Sequence, residues 1–94
     1  MEEEVIRVRR PREGEILGVI EANFGSNKFN VRCQDGKMRI ARIPGRLRKR
    51  MWMRDGDAVL IKPWEIQGDT RADIVVRYTP TEAGWLRRKG FLQL

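Results

Sequence analysis

The sequence contains no histidine, and its only cysteine is Cys33. Histidine is the commonest general base and the commonest metal ligand in proteins, so its absence argues against most hydrolytic and metal-dependent chemistry. One cysteine without histidine cannot build a zinc site, and it cannot form an internal disulfide. The glycine loops that hold nucleotide phosphates, GxxxxGK and GxGxxG, are missing too. These absences predict a protein that is not an enzyme and that needs no metal and no cofactor.

Long apolar runs are also missing, so the sequence predicts no membrane-spanning segment and no membrane partner. Residues 2–4 are all glutamate, which does not fit the basic start of a secretory signal peptide. A single cysteine is compatible with a reducing compartment. We therefore expect a cytoplasmic protein.

Positive charge dominates the composition. Lys and Arg number 20 against 13 Asp and Glu, which gives a net charge of +7 in 94 residues. A chain of this length forms one domain with a modest core. A basic excess in a small domain is typical of proteins that bind nucleic acid or an anionic membrane. Because no apolar or lipid-attachment segment is present, nucleic acid is the favoured partner.

The basic residues are concentrated in residues 45–54 (GRLRKRMWMR), which we call the basic connector. Residues 42–54 contain no acidic residue at all, whereas solvated surfaces usually mix the two signs. So many neighbouring cations repel one another unless a polyanion lies opposite. We therefore predict that the connector, as one short helical turn, contacts RNA. Trp52 within it either caps the core or stacks on a base.

Turn signals divide most of the chain into five short strands. We predict strands at residues 15–24, 28–34, 37–43, 57–64 and 70–78. In the second strand, alternation places Phe29, Val31 and Cys33 on one face. Asp35-Gly36 predicts a two-residue type I′ hairpin turn. In the third strand we expect Met38 and Ile40 to point inward and Arg39 outward.

Five strands at about ten-residue spacing, with a break after the third, predict an all-β fold with small helical additions. The arrangement favours a five-stranded OB-fold barrel of the S1-like type, with an SH3-like barrel as the rival. Residues 79–82 (TPTE) form a capping box with proline at the first helical position. We expect a C-terminal helix that ends near Lys89. The organisation is thus a flexible charged tail (1–13), a barrel (14–78), and a helix and tail packed on it (79–94).

The outward faces of the second and third strands form the usual nucleic-acid platform of such a barrel. This platform carries cations but, on the predicted faces, no aromatic ring on which single-stranded bases could stack. It therefore suits the phosphate backbone of folded RNA. The candidate RNA-binding residues are Lys28, Arg39, Arg42, Arg46, Arg48, Lys49, Arg50 and Arg54. Arg9, Arg10 and Arg12 form a candidate RNA-binding arm in the tail, and Trp64 and Trp85 are candidate partner contacts.

Residues 38–43 (MRIARI), 45–52 (GRLRKRMW), 56–60 (GDAVL) and 72–78 (ADIVVRY) resemble the translation initiation factor 1A family. The resemblance runs from about residue 14 to residue 90, and the short basic tail resembles archaeal members. It implies an OB-fold that binds ribosomal RNA of the small subunit in the decoding region, at the A site. It also implies partners: initiator tRNA and other initiation factors, including the subunit-joining GTPase.

The role that the resemblance implies is to assist initiator tRNA placement and start-codon selection without catalysis. We expect a monomer, since no exposed apolar stripe demands a second copy. Two alternatives stay open on the residues alone. One is a general RNA chaperone or single-strand binder, and the other is a protein-interaction adapter.

Overall fold

A computed structural model describes residues 8–25, 27–45 and 53–94. Each of the five observed strands lies within its predicted bounds, and the helix is confirmed. The elements are β1 Ile16–Asn23, β2 Lys28–Cys33, β3 Met38–Arg42, β4 Ala58–Pro63, β5 Arg71–Arg77 and α1 Pro80–Arg88. Residues 46–52 of the basic connector lie outside the described residues. The helical turn and the position of Trp52 therefore stay predictions.

The five strands close into a barrel in the order β1-β2-β3-β5-β4. All neighbouring pairs are antiparallel except β3 and β5, which pair in parallel. The predicted five-stranded barrel of OB type is confirmed. Its long β1 reaches both β2 and β4, and β5 fills the gap between β3 and β4.

Two apolar clusters hold the fold together. The barrel interior contains Phe29, Val31 and Cys33 from β2, as the alternation predicts. The second cluster lies between the barrel and α1. Its buried members are Leu17, Ala58, Leu60, Tyr78, Ala83, Leu86 and Leu92. The continuous apolar run of β4 is explained by these two layers, because Val59 and Ile61 face the interior while Ala58 and Leu60 face the helix.

The start of α1 is fixed by its capping box. The Oγ1 of Thr79 accepts a hydrogen bond of 3.2 Å from the Glu82 amide, and the Glu82 carboxylate accepts one of 2.9 Å from the Thr79 amide. These bonds satisfy two backbone donors that a helix start otherwise leaves unpaired. Lys89 is the C-cap residue of the helix, and Gly90 follows it with φ +81°. The predicted helix is confirmed at both ends.

The β2–β3 turn differs from the prediction by one residue. The Cys33 amide donates to the Lys37 carbonyl at 2.9 Å, so residues 34–36 form a three-residue loop. Within this loop only Gly36 has a positive φ (+89°), whereas a type I′ turn needs two such residues. The added residue pairs Val31 with Arg39 and shifts β3 by one position.

That shift reverses the two faces of β3, because side chains alternate along a strand. Arg39 is 3% exposed and Met38 is 46% exposed. The prediction that Met38 and Ile40 point inward and Arg39 outward was therefore wrong.

Residues 8–13 lie against the barrel, although the sequence predicts a flexible tail through residue 13. Both terminal nitrogens of Arg9 bond the Glu15 carboxylate, at 2.8 and 2.9 Å. The Tyr78 hydroxyl donates to the Arg9 carbonyl, and Val8 packs on the helix-side cluster. The guanidinium of Arg10 lies 5.2 Å from the centre of the Phe91 ring. The high charge of this segment predicted flexibility, because it gives no sign of the particular residues on the barrel and the C-terminal segment that these side chains contact.

We predict that Gly18→Ala destabilises the barrel by about 1–3 kcal/mol, the usual cost of overpacking a core. A Cβ at Gly18 would lie 2.6 Å from a Val31 methyl carbon and 3.0 Å from the Arg32 carbonyl oxygen. The control is Gly84→Ala in α1, where the nearest atom is the mobile end of Arg88 at 3.6 Å. Alanine there should stabilise the helix slightly. Urea unfolding of both variants would contradict this account if the two changes had equal effects.

Candidate nucleic-acid interface

The outward sides of β2, β3 and β5 form one continuous surface, which we call the outer face. Strand register places Lys28 opposite Arg42, and Arg42 opposite Asp73 on the other side. Two residues earlier on the same two strands, Arg71 pairs with Ile40. Arg42 is three residues before Gly45, where the basic connector begins. The outer face therefore brings cations of three strands together where the chain enters the connector.

An aromatic side chain joins this surface from the end of β4. The Trp64 amide donates to the Arg71 carbonyl at 3.1 Å, which holds the residue beside β5. Its indole Nε1 donates to Asp73 at 3.0 Å, and the same carboxylate oxygen accepts from the Nε of Arg42 at 2.9 Å. The Arg42 guanidinium lies 4.8 Å from the centre of the Trp64 ring. Arg42 and Trp64 thus form a stacked pair that Asp73 fixes from one edge.

A small pocket of about 120 Å³ lies in the outer face, lined by Lys28, Ile40, Arg42, Trp64 and Arg71. The sequence predicted Lys28 and Arg42 here but missed Arg71, and it left the platform without an aromatic ring. Trp64 is 22 residues after Arg42 in the chain. Only the pairing of β5 with both β3 and β4 brings the two side chains together. That pairing could have been anticipated once the barrel was assumed.

The basic connector is anchored to the barrel at both described ends. Just before it, Ile43 is buried, and near its end Met53 is buried in the barrel interior. The Arg54 amide donates to Asp57 at 3.0 Å, while the Arg54 side chain is exposed. The predicted contacts Arg46, Arg48, Lys49 and Arg50 lie outside the described residues. They stay predictions, with fixed attachment points on either side.

Arg39 does not belong to the outer face. Its Nε donates to the Gly68 carbonyl at 2.6 Å, and its terminal nitrogens bond the two Asp35 oxygens at 3.0 and 2.8 Å. These hydrogen bonds hold the pKa of Asp35 below its usual value and raise the pKa of Arg39. The Arg39 side chain itself is buried, so we leave Arg39 out of the proposed RNA contacts. Its role here is to tie the β2–β3 turn to the β4–β5 loop.

The remaining predicted residues lie on a different part of the surface. Arg9, Arg10 and Arg12 line a wide groove of about 620 Å³ together with Pro11 and Phe91. Arg10 and Arg12 are exposed, whereas Arg9 is held by Glu15. Trp85 is half-buried and stacks on Phe91, with ring centres 5.9 Å apart. This groove shares no lining residue with the outer-face pocket, so it is a separate candidate site.

Within residues 8–25, 27–45 and 53–94, no helix is long and apolar enough to cross a membrane. No group of three or more cysteine or acidic side chains is arranged to hold a metal ion in the same ranges.

The model of the family described as translation initiation factor 1A / IF-1 matches residues 3–93. This chain belongs to that family. The translation initiation factor 1A of Methanothermobacter thermautotrophicus is 59% identical over 92 residues, which cover 98% of this chain and 93% of the relative. The translation initiation factor 1A of Methanopyrus kandleri is 54% identical, over 97% of this chain and 81% of the relative. The translation initiation factor 1A of Thermococcus kodakarensis is also 54% identical, over 94% of this chain and 77% of the relative.

Among solved structures, the chain resembles the solution structure of a bacterial translation initiation factor from the Wolbachia endosymbiont of Brugia malayi. The TM-score is 0.54 at 21% identity, over 71% of this chain and 79% of that one. At this identity the likeness concerns the fold alone. The curated relatives support more: as a member of the translation initiation factor 1A family, the chain has an initiation factor role and partners in the translation machinery.

We predict that Asp35→Asn lowers the free energy of unfolding at pH 7 by about 1–3 kcal/mol, because the Arg39 guanidinium is left incompletely paired while buried. The effect depends on pH. Since the pKa of Asp35 is lowered on folding, its contribution is present above the unfolded-state pKa of about 4 and is lost as pH falls through the folded-state pKa.

Urea unfolding between pH 7 and pH 2 checks this prediction. The stability difference between the parent protein and Asp35→Asn should shrink as the medium becomes acidic. The control is Asp55→Asn, at an exposed turn position. A pH-independent difference for Asp35→Asn would contradict the ion-pair account.

Proposed function

We propose that the protein binds the ribosomal RNA of the small subunit in the decoding region, at the A site. There it assists the placement of initiator tRNA and the selection of the start codon, together with other initiation factors and the subunit-joining GTPase. The action is non-catalytic and takes place in the cytoplasm. Membership of the family supports a role in translation initiation, and the arrangement of cations supports RNA as the binding target.

The observation that carries the RNA proposal is the continuity between the outer face and the basic connector. Lys28 and Arg42 are exposed on neighbouring strands, and Arg42 leads within three residues into a segment without acidic residues. Guanidinium groups form paired hydrogen bonds with phosphate oxygens, which gives both affinity and direction. The barrel supplies a rigid base for the connector, because it is closed and its interior is packed.

The proposed contacts fall into those that the structure describes and those that rest on the sequence alone. Lys28, Arg42 and Arg54 are exposed in the structure. Arg46, Arg48, Lys49 and Arg50 are proposed from the sequence pattern and from the family resemblance. Arg10 and Arg12 are proposed as a second, weaker contact, because they lie in a separate groove. Arg9 is the least available member of that arm, since Glu15 already occupies its guanidinium.

The first experiment compares binding to isolated small ribosomal subunits with binding to an equal mass of unstructured RNA at near-physiological salt. We expect saturable one-to-one binding to the subunit that is far tighter than binding to loose RNA. Equal affinity for both would instead favour a general RNA chaperone. Tight, salt-insensitive binding to a protein after ribosomal RNA is removed would favour an adapter.

We predict that Arg48→Ala combined with Lys49→Ala weakens subunit binding by about 10- to 100-fold without unfolding the domain. The net contribution of one hydrogen bond is about 0.5–1.5 kcal/mol, so two lost contacts cost about 1–3 kcal/mol, which corresponds to this range at about 1.4 kcal/mol per tenfold change. Each phosphate contact also contributes about 0.7–0.9 to the slope of log affinity against log salt concentration. The double variant should therefore flatten that slope by about 1.5.

The matched control is Arg88→Ala combined with Lys89→Ala at the end of α1. It removes the same charge from exposed positions that are not among the proposed contacts. Thermal melting of both double variants verifies that each is folded. Unchanged affinity and salt slope in the connector variant, with an intact melting transition, would remove Arg48 and Lys49 from the interface.

A further inference from the structure

The groove beside residues 9–12 continues into a second depression, and we call the two together the trough. Its first part, of about 620 Å³, is lined by Arg9, Arg10, Pro11, Arg12 and Phe91. Its second part, of about 330 Å³, lies beside the start of β1 and the residues just after β2. Pro11 and Phe91 line both parts, so the two depressions meet at these side chains. The trough therefore has an apolar middle between two differently lined ends.

The two ends of the trough differ in charge. In the first part Arg10 and Arg12 are exposed, and within the described part of the chain neither forms an ion pair. In the second part the charged side chains are Glu15 and Asp35. Hydrogen bonds from arginines lower the pKa of both carboxylates, so both are negative at neutral pH. The trough thus presents cations at one end and carboxylates at the other.

Both walls of the trough are held in place by the folded protein. The wall formed by residues 9–12 is fixed by two hydrogen bonds from Arg9 to Glu15, at 2.8 and 2.9 Å. The opposite wall is fixed by Gln34, whose Nε2 donates to the Phe91 carbonyl at 2.8 Å and whose Oε1 accepts from the Gln93 amide at 2.8 Å. Because these contacts form without a ligand, little conformational freedom remains to be lost when one binds.

An evenly charged polyanion fits only the first part of the trough. A nucleic acid carries a negative charge at every nucleotide, so a strand that continued past Phe91 would meet Glu15 and Asp35. The weak RNA contact proposed for Arg10 and Arg12 therefore uses the basic end alone. A peptide, in contrast, can be acidic at one end and apolar or polar at the other. Clusters of arginine commonly recognise acidic peptide motifs.

We propose that the trough binds an extended segment of another protein, with acidic residues on Arg10 and Arg12 and an apolar side chain on Phe91. The residues that follow are uncharged and lie beside Gln34. The segment binds in one direction, because the carboxylates at the far end of the trough repel its acidic end. This inference goes beyond the proposed function. The trough shares no lining residue with the outer-face pocket, so a peptide here and RNA there do not exclude each other.

The test uses a synthetic eight-residue peptide with three aspartates, then phenylalanine and leucine, then three serines. One control peptide has asparagines in place of the aspartates, and the other has serines in place of phenylalanine and leucine. NMR of the full chain follows the backbone amide signals while each peptide is added. We expect the first peptide to shift the signals of Arg10, Arg12, Gln34 and Phe91. Each control peptide should bind about 5- to 10-fold more weakly, because it lacks one of the two kinds of contact.

A pair of double variants tests the basic end of the trough. Arg10→Gln combined with Arg12→Gln should weaken binding of the first peptide by about 2- to 30-fold, the range for two exposed ion pairs. The matched control is Arg88→Gln combined with Lys89→Gln, which removes the same charge from exposed residues that do not line the trough. It should bind the peptide like the parent protein. Thermal melting verifies that both double variants are folded.

Four results would overturn the proposal. Equal binding of the first peptide and the peptide without apolar residues would mean general charge attraction. Shifts confined to Lys28, Arg42 and Arg54 would place the peptide on the surface proposed for RNA. Tighter binding of a six-nucleotide oligouridylate, with the same shifts as the first peptide, would make the trough an RNA site. Absence of binding by all three peptides at about 1 mM would remove the contact altogether.

The outcomes separate this proposal from the proposed function. The Arg48 and Lys49 double variant should bind the first peptide like the parent protein, even where it binds small subunits weakly. If peptide binding fails while that variant binds subunits weakly, the peptide site is refuted and the RNA function stands. If the peptide binds as expected while that variant binds subunits normally, the RNA function of the connector fails and the peptide site stands.

Discussion

β5 pairs in parallel with β3 and antiparallel with β4, and these two sets of backbone hydrogen bonds close the barrel. At the parallel seam Ala41 lies opposite Ala72, and both are fully buried. The chain neighbours of these two alanines lie in the outer face, and they are Ile40, Arg42, Arg71 and Asp73. Closure therefore decides both the core and the surface: it brings Arg42 from β3, Asp73 from β5 and Trp64 from the end of β4 within contact distance of one another.

Much of this fold is visible in the sequence because it depends on local signals. Alternation assigns the inward face of β2, glycine-containing turns separate the strands, and the residues TPTE define the helix start. The error in β3 shows where local signals fail. A two-residue turn would pair Val31 with Ile40, which agrees with simple hydrophobicity. The actual three-residue loop pairs Val31 with Arg39, so the cation turns inward. The one additional residue in the turn therefore decided which side chains of β3 face inward, although Met38 and Ile40 are the apolar ones.

The site was predictable where it depends on composition and not where it depends on long-range pairing. Lys28 and Arg42 follow from a cationic strand face that leads into a basic segment. Arg71 and Trp64 become part of the site only because β5 lies between β3 and β4. The burial of Arg39 could not be predicted from β2 and β3 alone, because its Nε donates to the Gly68 carbonyl in the loop between β4 and β5. No property of residues 37–43 by themselves indicates that partner.

On the proposed function, the ion pairs of the arginines bear on how a protein with a net charge of +7 would select a particular RNA shape. Arg9, Arg32, Arg39, Arg42 and Arg77 each pair with a carboxylate of the protein. A paired guanidinium contributes less to long-range attraction but has a defined position, which a free one lacks. On the proposed function, long-range attraction comes mainly from Lys28, which forms no ion pair within the described part of the chain, and from the cations that we propose in the basic connector. The proposed directional contact of this kind is Arg42, which is exposed and whose orientation Asp73 sets. We therefore expect nonspecific attraction to any polyanion and recognition of one RNA surface to depend on different side chains.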